Sequence, residues 1–132
     1  MAETVDAEGK ILGRLASYAA EKVKDGEELN IVNSEKAVIS GTPEQVFGDY
    51  RERRERGSKE KGPRYPKAPE RILKRTVKGM LPDNADGREA FKRLKTYRGN
   101  PEGRETEELD VKTVEELEGR KHVTLEQVSE KI

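Results

Sequence analysis

The sequence predicts an α/β protein with a mainly parallel sheet, because strand and helix patterns alternate along its first forty residues. A short strand at Thr4-Val5 and a turn at Gly9-Lys10 precede a run of apolar residues spaced three and four apart, typical of one helix face: Leu12, Leu15, Ala16, Ala19, Ala20 and Val23. Gly26 ends this helix, and Leu29-Asn30-Ile31-Val32 reads as a buried strand. Strand, helix and strand in this order indicate a βαβ unit with parallel strands.

The next elements are predicted from local start signals. Ala37-Val38-Ile39 forms a second short extended or apolar segment. Thr42 stands three residues before Gln45, with Pro43 between them, which is the pattern of a capping box with proline at the first helical position. We therefore expect a helix from Pro43 toward Arg56.

Composition predicts one small domain that depends on a partner. The chain has 132 residues, of which 31% are hydrophobic and 41% are charged. We expect a single domain, residues 1–132, whose modest core gains order from a large polar partner.

Cysteine is absent, which excludes disulfides, thiolate metal sites and a cysteine nucleophile, and we expect no cofactor and no metal. The only histidine, His122, is flanked by Val123 and Leu125, which favours a strand-edge or packing role.

The formal net charge of zero hides a strong segregation of charge. Residues 1–50 contain 5 basic and 10 acidic residues, a net charge of −5, and residues 105–132 contain 4 and 9, again −5. Between them, residues 51–104 contain 18 basic and 8 acidic residues, a net charge of +10. A basic segment between acidic ends is typical of a protein that binds a polyanion through one part of its surface.

Residues 57–68 are predicted to form a basic loop, because they lack an apolar period and contain two glycines and two prolines. Four cations lie in this loop: Lys59, Lys61, Arg64 and Lys67. A loop that is surrounded only by water gains nothing from four cations. Phosphates of a bound partner would attract these cations and hold the loop in place.

The most informative pattern begins at Pro69, a second predicted helix start. Its apolar side is predicted to face the core and comprises Ile72, Leu73, Thr76, Val77 and Met80. Its opposite side is a stripe of four cations, Arg71, Lys74, Arg75 and Lys78. A merely solvated face usually alternates lysine with glutamate, so this stripe favours an anionic partner.

A second basic stretch follows around Ala90, Phe91, Leu94 and Tyr97. Only 5% of the residues are aromatic and tryptophan is absent, so contacts with phosphates and with RNA shape are expected rather than stacking on single-stranded bases. The predicted RNA-binding residues are Lys10, Arg14, Arg51, Arg53, Arg54, Lys59, Lys61, Arg64, Lys67, Arg71, Lys74, Arg75, Lys78, Arg88, Lys92, Arg93, Lys95 and Arg98.

Three stretches carry a resemblance to a known family. They are residues 6–16, residues 33–41 and residues 69–99, the last with Lys78-Gly79-Met80-Leu81-Pro82 at its centre and with Gly87-Arg88 and Tyr97-Arg98-Gly99 after it. The resemblance covers most of residues 4–101. In these stretches the chain resembles the universal family of large-subunit ribosomal protein thirteen, in its shorter archaeal and eukaryotic-type form.

The resemblance implies a three-layer α/β/α fold with basic loop and helical extensions, contacts with large-subunit ribosomal RNA and a part in early subunit assembly. It also implies neighbouring ribosomal proteins as partners, a monomer within the ribosome, and no small-molecule substrate. The chain departs from the family in its acidic end, where the glutamates are expected to face solvent or a protein neighbour: Glu107, Glu108, Glu115, Glu116 and Glu118.

Two other function classes compete with this interpretation. An enzyme of nucleotide chemistry would use the glycine-punctuated turn from Gly9 to Arg14, but the chain lacks a phosphate-binding loop motif. A scaffold that binds proteins through charged helices would bind RNA without salt sensitivity or not at all.

We expect a cytoplasmic protein without a membrane span, since no apolar run approaches about 18 residues and the N-terminus lacks the features of a signal peptide.

Overall fold

A computed structural model describes residues 3–56, 66–107, 109, 111, 113–117 and 119–132 of the chain. The strands are β1 (Glu3–Asp6), β2 (Leu29–Val32), β3 (Val38–Ser40), β4 (Leu94–Thr96) and β5 (His122–Thr124). The helices are α1 (Leu12–Lys24), α2 (Pro43–Arg56), α3 (Pro69–Lys78), α4 (Ala85–Lys92) and α5 (Leu125–Lys131), with 3-10 turns at Ser34–Lys36 and Val114–Leu117.

The main sheet is parallel, with strand order β1-β2-β4. Val5 pairs with Ile31 in the first ladder, and Ile31 pairs with Thr96 in the second. All four residues of β2 are buried, as expected of a central strand covered on both faces. The predicted α/β class and parallel sheet are confirmed. The third strand, β4, was not predicted.

The first βαβ unit forms as predicted. The six apolar residues foreseen for α1 are its buried residues. The helix ends in a Schellman motif, in which Gly26 adopts a φ of 92° and the N–H of Glu27 donates to the carbonyl of Lys22. That φ lies in the left-handed region, which glycine adopts without steric cost.

Both downstream helix starts are confirmed. The Oγ1 of Thr42 accepts a hydrogen bond from the N–H of Gln45 at 3.3 Å, and Pro43 is the first residue of α2. Pro69 likewise begins α3. The predicted loop is described only from residue 66 to residue 68, where it is not helical.

The inward position predicted for Met80 is wrong. Ile72, Leu73 and Val77 are 0% exposed, but Met80 is 43% exposed. The reason is that α3 ends at Lys78 and the chain turns at Gly79, so that Met80 no longer follows the helical period. Met80 is the only large hydrophobic residue exposed among those described.

The C-terminal segment packs on the same core as the first residues. Strand β5 pairs antiparallel with β3, and α5 contacts α2 and α3. Val123, Leu125 and Val128 belong to the core cluster that contains Val5 and Leu15. Apolar side chains of the acidic region therefore help to close the core. Of its glutamates, Glu107, Glu115 and Glu116 are exposed as predicted, whereas Glu108 and Glu118 lie outside the described residues.

Candidate nucleic-acid interface

Helix α3 presents a cationic face opposite a buried one. Arg71, Arg75 and Lys78 are exposed, and Lys74 is half-buried. Glu70 is the one acid in the helix and lies in its first turn, whereas Arg75 and Lys78 lie in the last turn. Cations there are favoured by the negative end of the helix dipole, which offsets part of their mutual repulsion. The helix therefore holds a stripe of positive charge on a rigid, well-packed support.

Phe91 of α4 organises two of these cations. The ammonium of Lys74 lies 5.1 Å from the centroid of its ring, and that of Lys78 lies 5.9 Å away. Both distances are within the range of cation–π attraction. The half-buried ring thus restrains both lysines and joins α3 to α4. The sequence placed Phe91 among the basic residues but gave no sign of this role.

The start of α4 adds another cation beside this stripe. Asn84 caps the helix, since its side chain accepts a hydrogen bond from the N–H of Gly87 at 3.0 Å. The exposed Arg88 then lines one cavity together with Arg75 and Lys78. Lys92, at the end of α4, is exposed and lies 3.5 Å from Glu89. The structure therefore brings the stripe and the start of the second basic stretch together.

A separate basic cluster lies where β2 and β4 begin. Lys92, Arg93 and Lys95 line a cavity of about 210 Å³ together with Glu28, Asn30 and Arg104. Arg104 was not among the predicted residues. Its guanidinium pairs with Glu102 and lies 5.6 Å from the ring centroid of Tyr97. Its position as the last cation of the basic segment was the only signal that could have identified it.

Two predicted cations bind other parts of the protein. The guanidinium Nη1 of Arg93 donates to the main-chain carbonyl of Val23 at 2.8 Å. Arg98, which is exposed, lies 3.5 Å from the carboxylate of Glu126 on α5. Arg93 is only half-exposed, so its hydrogen bond contributes to the fold, whereas the exposed pair of Arg98 contributes little to stability.

Two arginines of α2 make contacts within the protein. The Nε of Arg51 donates to the carbonyl of Lys131 at 3.0 Å, and the guanidinium of Arg53 lies 4.6 Å from the ring centroid of Tyr50. Arg54 is half-buried. Arg51 and Arg53 are both exposed.

The remaining predicted RNA-binding residues either lie apart from these clusters or fall outside the residues that the structure describes. Arg14 is exposed on α1, and the Nζ of Lys10 lies 3.5 Å from the carbonyl of Glu8. Lys67 is exposed just before α3. Three cations of the predicted loop, Lys59, Lys61 and Arg64, lie outside the described residues.

Alternative site types find no support within the described part of the chain. It contains no group of three or more histidine, aspartate or glutamate residues that could hold a metal ion. His122 lies in β5, as the predicted strand role requires, and its exposed ring places Nδ1 3.2 Å from the carbonyl of Arg120. No helix in this part is both long and apolar enough to cross a membrane.

Comparison with known proteins agrees with the resemblance seen in the sequence. The family described as ribosomal protein L13 matches residues 2–103. A protein of Methanosarcina barkeri named large ribosomal subunit protein uL13 is 50% identical over 133 residues, which cover 97% of this chain and 95% of the relative.

Two further archaeal relatives carry the same name. The protein of Archaeoglobus fulgidus is 49% identical over 95% of this chain and 83% of its own length. The protein of Methanocaldococcus jannaschii is 44% identical over 95% of this chain and 93% of its own length. The family match and these near full-length identities establish that the chain belongs to the ribosomal protein L13 family.

Proposed function

We propose that the chain is a structural constituent of the large ribosomal subunit, which binds large-subunit rRNA through phosphate and shape contacts and supports early assembly of the subunit. It is not an enzyme. It acts in the cytoplasm as one copy per ribosome, beside other ribosomal proteins. The names of its relatives support the subunit assignment.

The proposal that the protein binds RNA depends mainly on helix α3, which has one buried apolar face and one exposed cationic face. Its apolar residues Ile72, Leu73 and Val77 are fully buried, so the helix cannot rotate its cations away from the surface. Phosphate contacts fix the position of a protein on RNA most firmly when the cations themselves are restrained, and the Phe91 ring restrains Lys74 and Lys78. Arg88 extends the positive surface onto α4. The charge is therefore both concentrated and preorganised.

The same packing supports a single domain over residues 1–132. Val5 near the start and Val128 near the end share one core cluster. An extended RNA partner would then meet a surface built on one shared core, which fits a part in early assembly. Acidic residues of the C-terminal region, such as Glu115 and Glu116, suit a solvent-facing or protein-facing side.

Fractionation of cell extract tests this proposal. A tagged copy of the chain should sediment with the large subunit and with its early precursors at low salt, and nuclease treatment should release it. Depletion of the protein should cause early large-subunit precursors to accumulate. A tagged protein that stays at the top of the gradient, or that follows the small subunit, would refute the assignment.

A further inference from the structure

A cavity of about 390 Å³ lies between the end of α3, the turn that follows it and the first half of α4. Its apolar lining consists of Leu81, Pro82 and Phe91, and its cations are Arg75, Lys78 and Arg88. The volume falls in the range of about 300–1,000 Å³ typical of small-molecule sites. A phosphate held by surface lysines requires no such cavity.

Polarity and burial divide the lining in two. Leu81 is only 9% exposed and Phe91 is half-buried, whereas the three cations and Pro82 are exposed. The interior therefore offers apolar surface, and the entrance offers positive charge. One nucleotide matches this arrangement. The faces of its base are flat and largely apolar, as the interior requires, and its phosphate is anionic, as the entrance requires.

The cavity wall is fixed by main-chain packing. Gly87 approaches the turn so closely that a Cβ at this position would lie 1.7 Å from the carbonyl oxygen of Pro82. The capping bond from Gly87 to Asn84 holds the same segment. Met80, whose side chain the turn exposes, lies next to two lining residues, Gly79 and Leu81.

We propose that this cavity receives one unstacked nucleobase of large-subunit rRNA, while Lys78 and Arg88 contact the phosphates beside it. The inference rests on the proposed function and refines it, because it adds a base contact to an interface otherwise made of phosphate and shape contacts. Proteins that recognise unpaired RNA bases place them against aromatic rings, and Phe91 supplies such a ring. The Lys78 ammonium, which lies 5.9 Å from the ring centroid, would move from the ring to a phosphate when the base enters.

Charge favours RNA over a protein occupant. The lining contains three cations and one acid, Asp83, which leaves a net positive charge at the entrance. The carboxylate of Asp83 accepts hydrogen bonds only, so it would select a base edge that carries an exocyclic amine. A protein segment seated in the cavity is the competing outcome of the experiment.

Gly79 permits a direct test, because it lines the cavity and tolerates a side chain. Its φ of −65° is ordinary for any residue, and an added Cβ would meet only the carbonyl oxygens of Thr76 and Arg75, at 3.5 and 3.8 Å. Gly79→Leu should fill the cavity and keep every charge. Gly48→Leu is the matched control, since Gly48 is exposed in α2 and has nothing within 4 Å of an added Cβ.

The experiment measures affinity for large-subunit rRNA from the encoding organism and the chemical reactivity of its bases, with the full chain and each variant. Gly79→Leu should weaken binding roughly 5- to 150-fold, the range for one stacked base, with an unchanged dependence on salt. It should also abolish the protection of a single base and leave the rest of the footprint intact. Gly48→Leu should match the parent.

The possible failures are distinguishable. If Gly79→Leu folds and keeps both the affinity and the footprint of the parent, the base site is wrong and the proposed function stands. If cross-links from Met80 in assembled subunits reach a ribosomal protein and not rRNA, a protein occupies the cavity and the inference is overturned. If the parent chain does not bind the rRNA at all, the proposed function itself fails.

Discussion

The side chain of Arg93 closes the C-terminal end of α1, because its guanidinium Nη1 lies 2.8 Å from the main-chain carbonyl oxygen of Val23. The same carbonyl accepts the N–H of Gly26 at 3.2 Å. A cation at this end of a helix also meets the negative end of the helix dipole. A residue predicted from charge alone to contact RNA thus has a structural task.

We expect Arg93→Gln to destabilise the fold. The variant removes a charged, partly buried hydrogen bond to the carbonyl of Val23, which should lower the free energy of unfolding by about 1–2 kcal/mol. Lys95→Gln is the control, because Lys95 is exposed and lines the same cavity as Arg93. Urea unfolding of both variants measures the difference. Equal stability of the two variants would show that the bond to Val23 contributes nothing.

Leu73 within α3 and Met80 in the turn after it should respond differently to truncation. Leu73 is fully buried, so Leu73→Ala should cost about 2–5 kcal/mol. Met80 is 43% exposed, so Met80→Ala should change stability by less than about 0.5 kcal/mol. Thermal unfolding followed by circular dichroism checks both. A loss at Met80 as large as that at Leu73 would contradict the exposed turn at the end of α3.

Tyr18 should titrate at unusually high pH. Burial, followed by the hydrogen bond to Glu3 and the negative charge of Glu3, raises the pKa of Tyr18 from 10.0 to about 12. The folded state therefore holds the phenolic proton more tightly than the unfolded state. Its stabilising effect is complete below pH 10 and is lost as the pH rises through about 12.

Tyr18→Phe should remove this dependence. The absorbance of tyrosinate in the parent, minus that in the variant, isolates the ionisation of Tyr18 from that of the other tyrosines. The difference should appear near pH 12, and the variant should lose less stability between pH 10 and 12. A difference centred on pH 10.0 would mean that Glu3 and burial do not act on this hydroxyl.

The sequence predicted those parts of the fold that have a strong local period. The spacing of apolar residues predicts helix α1 and strand β2, and a proline at the first helical position predicts the starts of α2 and α3. Strand β4 was not predicted because only Leu94 of its three residues is buried. Lys95 made the segment look like part of a basic stretch. Its place in the sheet depends on pairing with β2, which no local pattern encodes.

The candidate site was predictable in its charge but not in its geometry. Spacing alone placed Arg71 and Lys78 on one face of a helix. It could not reveal that Phe91 lies against Lys74, that Arg93 bonds to Val23 or that a cavity separates α3 from α4, because each of these contacts joins residues far apart in sequence. Charge counts find a basic segment, and only packing decides which cations remain available.

The cationic face of α3 is expected to bind RNA phosphates, and the salt dependence of the affinity for RNA tests this. Arg71 and Lys78 are both exposed, so Arg71→Gln/Lys78→Gln removes two charges and preserves helix propensity. Lys24→Gln/Lys121→Gln is the matched control, since it removes two exposed lysines from outside the predicted interface. Circular dichroism should show all three proteins equally folded.

The decisive measurement is the slope of log K for large-subunit rRNA against log salt concentration. Each phosphate contact contributes about −0.7 to −0.9 to this slope, so the α3 double variant should have a slope shallower by about 1.4 to 1.8 and a lower affinity at low salt. The control double variant should keep the slope of the parent. A slope for the α3 variant equal to that of the parent, in a protein that remains folded, would contradict the claim.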